Sequence, residues 1–77
     1  MAKYDPLADH LRTAGNRVSM SFSEIEGLVG SLPKSAREYR PWWGNDRTHV
    51  HAKAWMAAGY EVSEVDADAE RVVFERR

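Results

Sequence analysis

The stretch RPWWGNDRTHVH, residues 40–51, gathers most of the side chains that could do chemistry in this 77-residue chain. His49 and His51 suggest a metal, but residues two apart face away from each other on a helix and diverge on a strand. Asp46 with His49 has better spacing, yet a third ligand is missing, so no metal site is expected. His51 reads as a core-edge histidine bonded to backbone. Ser19, Ser21, Ser23 and Ser35 have strand or capping explanations and no nucleophile among them is indicated. Gly27 and Gly30 form no phosphate loop, because no Gly-Lys-Ser/Thr follows. The carboxylates at 61–70 include no lysine base and read as a solvated turn. No enzyme and no cofactor are expected.

Binding chemistry fits better. The formal net charge is −1, so the chain as a whole gives no case for nucleic acid. Its distribution does. Lys34, Arg37, Arg40, Arg47 and Lys53 dominate the middle, whereas Glu61, Glu64, Asp66, Asp68 and Glu70 follow with no Lys or Arg between them. The adjacent Trp42 and Trp43 cannot both enter a core from one regular element. One is expected to close the core with Trp55, and the other to cover the loop before the last helix; an exposed ring that stacks on a base is the functional alternative.

The elements that must hold these residues are legible in outline. A domain of this size buries only about 60% of the surface its unfolded chain exposes, so the core is thin and one domain, 1–77, is expected. YDPLADHLRTAG predicts a first helix from about Pro6 to Ala14, with Leu7 and Leu11 four apart and Gly15 as the stop. RVSMSF alternates and predicts a half-buried strand with Val18, Met20 and Phe22 on one face. Ser23 and Glu26 have the spacing of a capping box for a second helix carrying Ile25, Leu28 and Val29. A short third helix is expected over about Pro33 to Tyr39, cut by Pro41. The longest pattern predicts a fourth helix from about Arg47 to Ala58, capped by Asn45, Asp46 or Thr48 and ended by Gly59. Tyr60, Val62 and Val65, then Val72 and Phe74, give two strands around the turn DADAE.

This order resembles a winged helix-turn-helix: an α+β fold with four helices and a small antiparallel three-stranded sheet. VSMSFSEIEGLVG is similar to the strand-to-helix entry of such domains, and AKAWMAAGYEV to the exit from a recognition helix into a wing. About ten extra residues, with the tryptophan pair, stand before the last helix. YDPL, FSEIEGLVGSLPKSAREYRPWWGN, AWMAAGYEV and VVFER also resemble a family of small uncharacterised bacterial domains. That resemblance implies a fold and no catalytic residues.

With Trp55 turned inward, Thr48, His51, Ala52 and Ala58 fall within about 60° of it at 100° per residue, while Asp46, His49, Val50, Lys53 and Ala57 fall opposite. The expectation is a non-enzymatic domain binding double-stranded DNA, its recognition helix spanning about 47–58. Asn45, Arg47, Thr48, His49 and Lys53 would meet the groove. Lys34, Arg37 and Arg40 would grip phosphates, Arg37 and Arg40 sharing a side at a spacing of three. The acidic hairpin argues for a different expectation, a protein-interaction or inhibitory module that binds a basic partner or extends a sheet. No apolar run approaches the roughly 18 residues of a membrane span, and the cysteine-free composition points to the cytoplasm.

Overall fold

The computed structural model describes residues 3–77. The elements are α1 (Asp5–Arg12), β1 (Arg17–Ser21), α2 (Phe22–Val29), α3 (Lys34–Glu38), a 3₁₀ turn (Arg40–Trp43), α4 (Val50–Ala57), β2 (Tyr60–Asp66) and β3 (Arg71–Arg76). The fold is α+β, and the described residues form four α-helices and a three-stranded antiparallel sheet in the expected order.

The sheet order is β1-β3-β2, so the last strand is central and β2 lies at an edge. β1 pairs with β3 from Arg17 opposite Glu75 to Ser21 opposite Arg71. β2 pairs with β3 from Tyr60 opposite Arg76 to Asp66 opposite Arg71, with an irregularity between Val62 and Glu64. Met20, Tyr60, Val72 and Phe74 are buried against Leu7, Leu11, Phe22, Ile25 and Trp55 from the helices. The other face of the sheet is polar. There Arg17 bridges Glu64 and Glu75, and Arg71 reaches the Ser19 hydroxyl. One packed face and one solvated face explain the alternating strand pattern.

The helix boundaries differ from expectation for local reasons. The capping box is built from Ser21 and Glu24, not from Ser23 and Glu26. Glu24 N donates to Ser21 Oγ at 3.0 Å, and Ser21 N donates to Glu24 Oε1 at 2.8 Å. SFSEIE carries the motif twice, and only the earlier copy puts Phe22 in the first turn and fully inside. Glu26 is thereby freed to accept from Leu32 N at 2.9 Å and from Arg37.

α4 begins at Val50, three residues later than predicted. Asp46 Oδ1 accepts from Thr48 N at 2.9 Å and from Thr48 Oγ1 at 2.7 Å, which folds residues 46–49 into a turn of their own. Thr48 is therefore exposed rather than near the buried face of α4. His49 becomes the N-cap in extended conformation. Its ring then lies 5.2 Å from that of His51, where helical spacing would have separated them.

The tryptophan pair divides its labour. Trp43 is buried, stacks on Phe22 and on Trp55, and donates from Nε1 to Ala36 O at 2.8 Å. Trp42 is half-buried and lies flat on the His51 ring at 3.7 Å, with Tyr4 against its edge. His51 Nε2 sits 2.7 Å from Trp42 O. One ring completes the core, and the other seats the first turn of α4.

Candidate nucleic-acid interface

Trp55 fixes how α4 sits. It is fully buried, and its Nε1 donates to Asn45 Oδ1 at 2.9 Å. His51, Ala52 and Trp55 face inward together. The opposite flank is uncovered: Val50 is 72% exposed, and Lys53 and Ala57 are exposed. Neither the hairpin nor α3 lies over it. α1 runs alongside, and the two helices bound a groove of about 850 Å³ with Tyr4 and Ala8 on one wall and Val50, Ala54 and Ala57 on the other. Asp5, Asp9 and Arg12 edge the α1 side, the last two paired at 2.7 Å. The groove has no separate sequence signature. Ala8 and Ala54 are small residues on two helices that meet only in the folded chain.

The expected contact residues do not form one surface. Lys34 is exposed, with Glu38 3.8 Å away. Arg37 and Arg40 do not share a side, because Tyr39 leaves the helical region at φ −123°, ψ 94° and ends α3 between them. The Arg37 guanidinium is held by Glu26 and Glu70, each at 2.7 Å, and lies 5.5 Å from the Phe22 ring. The Glu26 hydrogen bond raises the Arg37 pKa above its ordinary value. Asn45 is also committed. Besides Trp55, its amide pairs with both backbone groups of Val62. Arg37 and Asn45 are thus framework residues.

Arg40, Arg47 and Lys53 differ. All three are exposed, and none of their side chains makes a hydrogen bond or ion pair among the described residues. Arg47 and Lys53 lie on the α4 side, with His49 between them in sequence. Arg40 lies at the start of the 3₁₀ turn and faces the edge of β2. Asp46, beside Arg47, is held below the usual carboxylate range, first by the Thr48 backbone N–H and then by the Thr48 hydroxyl. His51 is pushed down by burial, which outweighs its hydrogen bond to Trp42 O. No group of three or more His, Asp or Glu side chains gathers to hold a metal among the described residues.

These features define a small α+β domain in which short helices pack on one face of a three-stranded antiparallel sheet. The chain belongs to the domain family of unknown function DUF7662, whose model matches residues 4–77. No curated protein and no solved structure matches it. Among the described residues, no helix is long and apolar enough to cross a membrane.

Proposed function

We propose that the domain binds double-stranded DNA, as a winged helix-turn-helix does, with the free flank of α4 entering the major groove. The reading rests on one observation: Trp55 and Asn45 pin α4 from behind while Val50, Lys53 and Ala57 stay uncovered. The topology supports it. β1 leads into α2, α4 leads into a hairpin, and β1 closes on the last strand. Small side chains let the helix backbone approach base edges, His49 reaches them, and Arg47 and Lys53 contact phosphate. The hairpin takes no part in this contact, because Asp66, Asp68 and Glu70 repel phosphate.

Two phosphate contacts give a slope of log affinity against log salt of about −1.8. The test is an anisotropy titration of mixed-sequence duplex at low and rising salt. Binding at micromolar protein with a slope of that size supports the reading. No binding at low salt overturns it.

A further inference from the structure

The outer edge of β2 carries a feature that DNA binding does not use. In an antiparallel ladder, backbone groups alternate between facing the partner strand and facing away. Val62 faces away from β3, and both of its outward groups are taken by Asn45: Nδ2 donates to Val62 O at 3.0 Å, and Val62 N donates to Oδ1 at 2.9 Å. The irregularity at Ser63 resets the alternation, so Val65, opposite Val72, is the next residue whose N–H and C=O face outward. Two confluent depressions of about 380 and 510 Å³ flank that point, sharing Arg40, Glu64 and Val65 as walls. Val65 is half-buried against the core. A strand edge with unpaired groups is a template for another extended chain.

Charge decides what that chain is. Asp66 and Asp68 line the depression beside the turn, Arg40 and Glu64 line both, and Glu64 is already paired with Arg17. A second copy pairing antiparallel about Val65 would set Glu64 of each copy against Asp66 of the other, which like-charge repulsion disfavours. We infer that the β2 edge at Val65 receives an extended, lysine- or arginine-bearing segment of a partner protein. The segment adds a fourth strand beyond Asn45. Its basic side chains lie toward Asp66 and Asp68, and the Arg40 guanidinium, between the two depressions, donates to a carbonyl of the segment.

The probe is a short synthetic peptide alternating valine and lysine, titrated into ¹⁵N-labelled protein. Shifts of the Glu64, Val65 and Asp66 amides, with those of Val50–Ala57 unmoved, are expected. Asp68→Lys, at an exposed turn, weakens binding several-fold. A peptide N-methylated at its central residues keeps its charge but loses strand pairing, and does not bind. The proposal is overturned if the N-methylated peptide or a glutamate-for-lysine peptide binds equally well, if the shifts map to α4, or if the Val65 amide shifts with protein concentration alone. DNA titrated into the same sample reads out on α4, so the two proposals fail separately.

Discussion

Asn45 pairs with Val62 as one strand residue pairs with another, donating to its carbonyl and accepting from its N–H, and the same oxygen accepts from the Trp55 indole. A single amide thereby ties the loop before α4, the core tryptophan of α4 and the edge of β2. Asn45→Ala leaves the indole N–H and two backbone groups without partners. The expected loss is about 2 kcal/mol in urea unfolding. Asn45→Asp keeps the acceptor but sets a second carboxylate oxygen against Val62 O, and it also destabilises.

The two tryptophans are expected to respond unequally. Trp43 is buried between Phe22 and Trp55, so Trp43→Ala costs about 3–5 kcal/mol. Trp42→Ala costs less, because half of that ring already faces solvent. It chiefly exposes His51, which raises amide exchange in the first turn of α4.

Arginines separate stability from binding. Arg37→Ala breaks both of its ion pairs and lowers the melting temperature more than Arg12→Ala, which breaks a single surface pair. Arg47→Ala and Lys53→Ala leave the melting temperature unchanged. Each reduces DNA affinity and flattens the salt slope by about 1. If Arg37→Ala alone weakens DNA binding in the still-folded protein, the assignment of contacts is reversed.

Acid destabilises in two waves. The folded-state pKa of His51 is depressed by burial, so its contribution is complete above the ordinary value of about 6.5 and is lost as pH falls from there toward the folded value. Glu24, Glu26 and Asp46 are depressed chiefly by backbone N–H bonds, from Ser21, Leu32 and Thr48 respectively. Their contribution is present above about pH 4 and disappears below it. Thermal melts across this range show both steps, and His51→Gln removes the first alone.

Gly30 ends α2 at φ 85°, ψ −170°, a region that only glycine occupies readily. A Cβ there meets no atom within 4 Å. The cost of Gly30→Ala is therefore backbone strain, about 1–3 kcal/mol by denaturant unfolding.

The sequence alone determined the kinds and order of elements. Leucines four apart, the alternation of RVSMSF and the spacing from Val62 to Phe74 are local patterns, and each sets which side of its element is apolar before any packing occurs. The inward turn of His51 and Trp55 follows from the same periodicity. Tertiary structure decided what local rules left degenerate. SFSEIE offers two capping boxes of equal quality, and only burial of Phe22 selects the first. Arg37 and Arg40 look alike in a row of basic residues. Glu26 and Glu70, brought together by the fold, claim one and leave the other free. The role of Asn45 depends on a backbone 17 residues away. Helix and strand periodicity act through neighbours along the chain, whereas the partner of a charged or amide side chain is whichever group the completed core brings within about 3 Å.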